Sequence, residues 1–396
     1  AVSVAGGSNG GASLTASGNL NTTGGIDLDA TTDAASLTLN GGGAQNVTGA
    51  ITTAGTVADT SITVNNSSSA DTTFNDTIGA VGQQVGALTV TDGNTVLTDD
   101  AYVAGDVTVT ADTLTNNSGA TLTADNIVGG GTFTNAGTAN VATNVSVSGG
   151  VGLGANGELV LNGSGAQGVT AAIDVLNGGD GSIEVDNSGG TTTFGLIGDT
   201  NNVGSLTVTD GVTVLSENAS FENDVDIQQD TLTNNNSKTL EAANITGAGA
   251  FTNEGTANVT TDVTVSGVTL GTNGDLVLNG SGTQDVTAAI TVGSSGDGSI
   301  EVDNDGSDDI TFTGDIGTSS NKVGSLTVTD GNTVLDSDAF FTGNVDVASD
   351  QSLTNNSGKT LEAANITGAG TFVNDGTADV GTDDTVDSVN NNDKLE

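Results

Sequence analysis

One ten-residue segment recurs three times along the chain and constrains the fold that the chain can adopt. LTVTDGNTVL at 88–97 returns as LTVTDGVTVL at 206–215 and as LTVTDGNTVL at 326–335. Apolar and polar residues alternate on both sides of an Asp-Gly turn, which is typical of strand, turn and strand. The copies are separated by about 118 and about 120 residues, so the sequence predicts three long repeats of β-structure.

The chain can be divided into three aligned repeats and two flanking segments. We place the repeats at residues 37–158, 159–275 and 276–381, with a partial repeat at 1–36 and a polar tail at 382–396. Strand signals rich in Thr and Val follow one another through every repeat, and Gly and Asn fill the gaps between them. We therefore expect one architecture throughout the repeats.

The density of strand signals favours a solenoid over a sandwich. An immunoglobulin-type sandwich uses about seven to nine strands in about 100 residues, and each repeat contains too many short strand signals for that fold. No window of the sequence has the 3.6-residue apolar period of a helix. We predict an all-β fold, a parallel β-solenoid (β-helix) built from the three long repeats, with coils of roughly 20–24 residues and about 17 coils in all.

The aromatic residues are expected to fill the core at fixed places in each repeat. The equivalent positions are Phe74, Phe194 and Phe312 in one set, Phe133, Phe251 and Phe372 in a second, and Phe221 and Phe341 in a third. We interpret these sets as core residues and not as stacking platforms for sugars or bases.

Paired asparagines recur at one point of each repeat. The pairs are Asn116–Asn117, Asn234–Asn235 and Asn355–Asn356. Asn is a common turn residue, and in a solenoid its amides can stack and form hydrogen bonds from coil to coil. We predict such contacts here.

The charge of the chain is strongly negative and excludes several partners. The 396 residues include 49 acids and four bases, for a formal net charge of −45. A chain without a basic surface is not expected to bind nucleic acid or an anionic membrane. No long apolar run predicts a membrane span. The start at Ala1 resembles the product of signal-peptidase cleavage, so we expect an exported, extracellular protein.

The sequence supplies few groups for catalysis. Without His, Cys or Arg, no Ser–His or Cys–His pair, ordinary zinc site or phosphate-binding fork can be assembled. A pair of carboxylates could serve a glycosidase, but the lysines and aromatic residues that bind sugars are scarce. We expect no enzymatic activity and no required cofactor.

Acidic turns provide the one candidate site for an ion. Carboxylates cluster at residues 26–33 and 296–309, and hard oxygen ligands of this kind can hold Ca²⁺. Solvated acidic turns without an ion are the alternative interpretation. The predicted calcium ligands are Asp297, Asp303, Asp305, Asp308 and Asp309.

Threonines alternate with apolar residues in the recurrent segment, as at Thr89 and Thr91. This alternation is similar to that of ice-binding solenoids, in which flat arrays of Thr recur on every coil. In the sequence the pattern recurs once in each long repeat, so we do not expect an ice-binding array.

Segments 245–259 and 366–380, with a looser copy at 127–141, have the form ITGAGTFxNxGTAxV. This form resembles the β-solenoid passenger regions of bacterial autotransporters and related surface proteins, over nearly the whole chain and without a diagnostic motif. The resemblance implies export, a right-handed parallel β-helix and a role in adhesion or layer formation. No segment resembles the membrane β-barrel of that family with its aromatic girdle, so we expect a released or assembled protein.

The expected function is that of a secreted structural protein that assembles end to end into an extracellular filament or surface layer. Residues 1–7 resemble 144–150, and the polar tail aligns with 261–275, so one copy can continue the repeat of the next. We expect residues 1–20 and 380–396 to form a head-to-tail contact between copies. An adhesin that binds through its lateral face is the alternative, and a carbohydrate-active β-helix enzyme is a remote one.

Overall fold

The computed structural model of the chain is all-β, with 57% of its residues in strands. It describes residues 1–6, 10–67, 70–305, 309–381, 385–386, 388–391 and 394–395. Among these residues there is no α-helix, and a single 3-10 turn covers Val57–Asp59. The chain forms two compact units, 1–204 and 205–396, whose boundary lies inside the second predicted repeat.

Unit 1 consists of short strands that are wound into a parallel β-solenoid. Its strands are β1 (Val2–Ala5), β2 (Ala12–Ala16), β3 (Leu20–Asn21), β4 (Ile26–Ala30), β5 (Ala35–Leu39), β6 (Gln45–Thr48), β7 (Ile51–Gly55), β8 (Thr60–Asn65), β9 (Thr72–Phe74), β10 (Ala87–Asp92), β11 (Thr95–Leu97), β12 (Ala101–Tyr102), β13 (Asp106–Val109), β14 (Thr113–Asn116), β15 (Thr121–Gly129), β16 (Thr132–Asn135), β17 (Thr138–Val147), β18 (Val151–Leu153), β19 (Glu158–Leu161), β20 (Gln167–Val169), β21 (Ile173–Val175) and β22 (Ser182–Phe194).

Successive turns of unit 1 stack into three parallel sheets, named here 1A, 1B and 1C. Sheet 1A contains β1, β4, β7 and β12, the first parts of β15 and β17, then β19 and the first part of β22. Sheet 1B contains β2, β5, β8, β10 and β13, the second parts of β15 and β17, then β20 and the end of β22. Sheet 1C contains β3, β6, β9, β11, β14, β16, β18 and β21.

Unit 2 is a second parallel β-solenoid of the same kind. Its strands are β23 (Ser205–Leu215), β24 (Ala219–Ser220), β25 (Val225–Ile227), β26 (Thr231–Asn234), β27 (Thr239–Ala242), β28 (Ile245–Thr246), β29 (Ala250–Asn253), β30 (Thr256–Val259), β31 (Val263–Thr264), β32 (Gly267–Leu270), β33 (Asp275–Leu278), β34 (Gln284–Val286), β35 (Ile290–Val292), β36 (Ser299–Asp303), β37 (Asp309–Phe312), β38 (Ser325–Asp330), β39 (Asn332–Leu335), β40 (Ala339–Phe340), β41 (Asn344–Val347), β42 (Ser352–Asn355), β43 (Thr360–Ala363), β44 (Asn365–Thr367), β45 (Thr371–Asn374), β46 (Thr377–Val380), β47 (Ser388–Asn391) and β48 (Lys394–Leu395).

The strands of unit 2 also form three parallel sheets, named 2A, 2B and 2C. Sheet 2A contains the first part of β23, then β25, β28, β31, β34, β37, β39, β42, β45 and β47. Sheet 2B contains the second part of β23, then β26, β29, β32, β35, β40, β43, β46 and β48. Sheet 2C contains β24, β27, β30, β33, β36, β38, β41 and β44.

The predicted fold class, an all-β parallel β-solenoid, is therefore confirmed. The chain makes about 18 turns, close to the expected number of about 17. Neither unit tests the boundaries of the three long repeats, which stay a prediction from the sequence.

The alternation of apolar and polar residues determines which side of each strand is turned toward the core. Side chains of a strand point to opposite faces in turn, so every second residue enters the core. In sheet 1B, Leu37, Ile62, Leu88 and Val107 stack on one another through parallel pairing and are all 0% exposed. The Thr and Ser residues between them face outward. A continuous column of aliphatic side chains therefore supports each sheet from inside.

The aromatic residues are core residues, as predicted, but equivalent ones do not stack on each other. Phe251 and Phe372 are both 0% exposed, yet Phe251 lies in sheet 2B and Phe372 in sheet 2A. Phe74 and Phe194 likewise lie in sheets 1C and 1B. A long repeat does not contain a whole number of turns, so the next copy of an element falls on a different sheet.

The recurrent Asp-Gly turn is a corner between two sheets. In its first copy β10 belongs to sheet 1B and β11 to sheet 1C, so the two strands do not pair with each other as hairpin strands do. Gly93 has φ +82°, a conformation that residues with a Cβ rarely adopt. Its N–H donates to Oδ2 of Asp112 on the next coil at 2.8 Å, and the Gly211 N–H donates to Asp230 at 2.9 Å. In these two copies the corner is thus fixed by a carboxylate from the following coil, whereas in the third copy the Gly331 N–H donates to Oδ1 of the adjacent Asp330 at 2.9 Å.

Candidate functional surfaces

The predicted calcium ligands that the structure describes lie in unit 2 in separate local arrangements. The Oδ2 atom of Asp297 accepts a hydrogen bond from the Ser294 N–H at 2.9 Å within its own turn. The backbone N–H of Asp305 donates to the Gly280 carbonyl at 2.9 Å. Asp303 ends β36 and Asp309 begins β37, and both are exposed. Asp308 lies outside the described residues.

A calcium site at these carboxylates stays a prediction. Within the described parts of the chain, no three carboxylates come together in a group that could hold a metal ion. Ca²⁺ takes six to eight oxygen ligands, so a site here would also need backbone carbonyls or water.

The sequence predicted that the acidic segment 26–33 is a turn. That prediction is wrong, because most of the segment forms β4. Asp27 and Asp29 are the outward-facing residues of that strand, between the buried Ile26, Leu28 and Ala30. The Thr52 hydroxyl on the next coil donates to Asp27 Oδ1 at 3.3 Å, and the Thr31 N–H donates to Asp29 Oδ1 at 3.0 Å. Period-2 alternation outweighs the turn propensity of Asp in this segment.

Buried asparagines form short ladders that connect adjacent coils. Nδ2 of Asn116 donates to Oδ1 of Asn135 at 2.8 Å, and Nδ2 of Asn135 donates to the Glu158 carbonyl at 2.8 Å. The same bond joins Asn234 to Asn253 at 2.9 Å and Asn355 to Asn374 at 2.8 Å. All six side chains are 0% exposed. The predicted contact from coil to coil therefore exists, and it uses the first residue of each Asn pair.

The partner in each ladder and a second set of buried amides were not predicted from the sequence. The partners, Asn135, Asn253 and Asn374, end the TFTN, AFTN and TFVN segments, and this recurrence was the available signal. Gln45, Gln167 and Gln284 are also buried. Nε2 of Gln284 donates to the carbonyls of Val259 and Thr261, at 3.1 and 2.8 Å, and so closes the corner after an Asn-Gly turn. These amides hold the backbone of adjacent coils in place. Oδ1 of Asn116, Asn234 and Asn355 is buried and has no hydrogen-bond partner among the described residues.

Tyr102 is the single tyrosine of the chain and donates a hydrogen bond to Asp100. The distance from its Oη to Asp100 Oδ2 is 3.1 Å. Burial raises the pKa of the Tyr102 phenol above its ordinary value of 10.0, and the Asp100 hydrogen bond and the charges of Asp100 and Asp99 raise this pKa further. The phenol therefore stays neutral at physiological pH and acts as a hydrogen-bond donor.

A surface groove of about 510 Å³ lies in unit 1 among the turns that follow β3 and β6. Thr and Gly residues line most of it, and Asp76 is the ionisable residue in its wall. Oδ2 of Asp76 accepts a hydrogen bond from the Gly49 N–H at 2.8 Å. Glycoside hydrolysis needs two carboxylates on opposite sides of the sugar bond, and this groove supplies one.

Outward-facing threonines stack on successive coils of sheet 1B. Strand pairing places Thr15 beside Thr38, then Thr63, Thr89 and Thr108, in one continuous row. A parallel row two residues earlier consists of Ser13, Ser36, Ser61 and Ala87. We call these two rows the threonine–serine array. From the sequence we expected the Thr pattern to recur once in each long repeat and not on every coil. On sheet 1B that prediction is wrong.

No helix among the described residues is long and apolar enough to cross a membrane. The chain matches no protein-family model, no curated protein and no solved structure. What it shares with autotransporter passenger regions is therefore the parallel β-solenoid fold.

Proposed function

We propose that this chain is a non-enzymatic structural protein of the extracellular surface or matrix, and that its copies associate end to end. The observation that supports the proposal is the continuity of parallel strand pairing. Within each unit the strands of one turn pair in parallel with those of the next, as β1 pairs with β4 and β4 with β7. A strand that is paired on one side has unused backbone groups on the other, and these groups are a template for a further strand.

The first turn of unit 1 carries such an edge. Among the described residues β1 pairs with β4 and with no other strand. The backbone N–H groups of Val2 and Gly6 donate toward β4, to Gly25 and Asp29. Because N–H groups alternate in direction along a parallel strand, those of Ser3 and Ala5 point to the opposite side. In the proposed assembly they pair with a strand from residues 380–396 of another copy, and such a contact continues without closing.

The rigidity of the coils also suits a structural role. Aliphatic columns connect adjacent coils within the core, and buried Asn ladders add hydrogen bonds between coils at three points. The binding of a ligand through the lateral face, as in an adhesin, is the second candidate. The observation that favours it is the uncharged threonine–serine array on sheet 1B.

Electron microscopy and sedimentation of two variants at one position test the proposal. Ser3→Pro removes an N–H on the open side of β1, whereas Ser3→Thr keeps it and favours the strand. We expect the wild type and Ser3→Thr to elongate into filaments and Ser3→Pro to stay short while retaining strand circular dichroism. Deletion of residues 1–20 should have the same effect. Filaments of normal length from Ser3→Pro and from the deletion would exclude the end-to-end contact.

A further inference from the structure

We propose that the threonine–serine array of sheet 1B binds the surface of ice. The array is defined by the row of Thr15, Thr38, Thr63, Thr89 and Thr108 and the row of Ser13, Ser36, Ser61 and Ala87. The inference does not depend on the proposed self-association, because it concerns the lateral face of one unit.

The array is a regular grid of hydroxyl and methyl groups. Its rows run from coil to coil, and adjacent parallel strands are about 4.7–4.9 Å apart. In a tetrahedral water network with oxygens about 2.8 Å apart, second neighbours lie about 4.5–4.6 Å apart. The two spacings differ by about 0.2–0.3 Å per coil, so over five threonines the mismatch accumulates to about 1 Å. Water held by each hydroxyl can therefore join one lattice.

The hydroxyls of the array threonines make no hydrogen bond to the part of the chain that the structure describes. None of the five threonines of the array forms a side-chain hydrogen bond with another described residue, and all five are half-buried or exposed. Sheet 2B has a shorter row of outward-facing threonines, Thr233, Thr252, Thr269 and Thr291. That row differs, because the hydroxyls of Thr269 and Thr291 bond to each other at 3.2 Å and Thr291 donates to a carbonyl at 3.1 Å. The threonine hydroxyls of the unit 1 array are therefore free to hold water, whereas in the serine row the Ser36 hydroxyl lies 3.5 Å from the Ala12 carbonyl.

The array is uncharged, as a surface that binds neutral ice should be. The chain carries a net charge of −45, yet neither row has a charged side chain over β2, β5, β8 and β10. Carboxylates begin at its border with Asp92 and Asp106. A charged side chain orders water around itself in a way that a neutral lattice cannot accept. The uncharged grid is therefore suited to ice and not to a cation or a basic protein.

The array is also held rigidly. Thr is β-branched and has a restricted χ1, so its hydroxyl and methyl keep fixed positions on a strand. Beneath the threonines the core column of Leu37, Ile62, Leu88 and Val107 is fully buried. A grid that is ordered before contact loses little conformational entropy on binding. A crystalline polysaccharide is the less suitable occupant, because no aromatic side chain stands in either row to stack on a sugar.

The full chain and two double variants test the inference. Thr63→Glu with Thr89→Glu places two charges in the centre of the array. The control, Thr115→Glu with Thr134→Glu, changes an adjacent, outward-facing pair on sheet 1C, where the row is interrupted by Val96 and Gly152. We expect the wild type and the control to facet growing ice crystals and to hold their freezing point below their melting point. The array variant should lose both effects.

Each other result would overturn the inference. A wild type that leaves ice crystals round, an array variant that retains activity, or a control that loses it equally would each do so. The wild type could instead bind insoluble chitin, cellulose or another copy and have no effect on ice growth. If the array variant then loses that binding, the array is assigned to that partner and not to ice. If the circular dichroism of the Glu variant departs from the wild type, Thr63→Lys with Thr89→Lys replaces it under the same criteria.

Discussion

Replacement of the ladder asparagine Asn234 by Leu should destabilise the coils around β26 by about 2–4 kcal/mol. Nδ2 of Asn234 lies 3.2 Å from the Lys238 carbonyl, 2.9 Å from Asn253 Oδ1 and 3.0 Å from the Thr256 carbonyl. The Lys238 carbonyl keeps a second donor, the Thr256 N–H at 2.9 Å. Asn253 Oδ1 loses its donor and remains buried.

The magnitude follows from these contacts. The Asn234 Nδ2 group has two hydrogens shared among these three acceptors, so about two hydrogen bonds are lost at about 1 kcal/mol each, and a buried acceptor without a donor costs about 1–3 kcal/mol more. The added apolar surface of Leu returns about 1 kcal/mol. No cavity term is needed, because Leu and Asn have similar length and Leu already occupies the neighbouring positions Leu215 and Leu270 of the same row.

A double-mutant cycle separates the hydrogen bond from other effects. Asn253→Leu in the Asn234→Leu background removes the unpaired acceptor, so the double variant should cost less than the sum of the single variants by about 1–3 kcal/mol. Denaturant unfolding followed by far-ultraviolet circular dichroism, with hydrogen exchange of the amides in β26 and β29, measures the cycle. Asn258→Leu, on an outward-facing position of β30, is the control and should stay within about 0.5 kcal/mol. Additive single variants would refute the paired ladder.

Three further predictions concern the core, the charge and the tyrosine. Phe194→Ala should cost about 3–5 kcal/mol because the ring is fully buried, and a change within about 0.5 kcal/mol in denaturant unfolding would contradict its place in the core. Melting in NaCl, MgCl₂ and CaCl₂ at equal ionic strength should rise equally if salt only screens the −45 charge, and an additional rise in CaCl₂ alone is expected if the acidic turns bind Ca²⁺. Ultraviolet titration should show Tyr102 ionising above pH 10.0, and Asp100→Asn should lower its pKa. Because its folded pKa is raised, the stability linked to Tyr102 is present below pH 10.0 and is lost as the pH rises through the folded pKa, and a normal pKa in the wild type would contradict the Asp100 contact.

The sequence was sufficient for the fold because period-2 alternation is a local property. The alternation within one strand identifies its buried residues even when the neighbouring strand is unknown. The aliphatic columns and the aromatic core could therefore be predicted. Strand formation at Asp27 and Asp29 was missed because clustered acids are typical of turns, while the apolar residues between them were the better indicator.

Partners on adjacent coils could not be predicted in the same way. Asn116 and Asn135 are 19 residues apart, whereas Thr38 and Thr63 are 25 apart, although each pair consists of neighbours in a sheet. The number of residues in a coil depends on the loops at its corners, and these loops vary while the strands do not. No fixed spacing therefore reveals the threonine–serine array, and the 19-residue spacing within each ladder identifies neighbours only once the length of that coil is known. The long repeat compares equivalent elements, and these are not neighbours in space.

The incommensurate repeat has a consequence for how such a chain can evolve. Within unit 2 the ladder of Asn234 and Asn253 lies in sheet 2B, and its copy, Asn355 and Asn374, lies in sheet 2A. Duplication of a repeat thus copies its interior faithfully but turns its exterior to a new direction. A feature needed on all sides, such as solubility, is inherited with every duplication. A one-sided feature has to arise by separate substitutions, coil by coil, so selection for it leaves a signature that duplication alone does not produce.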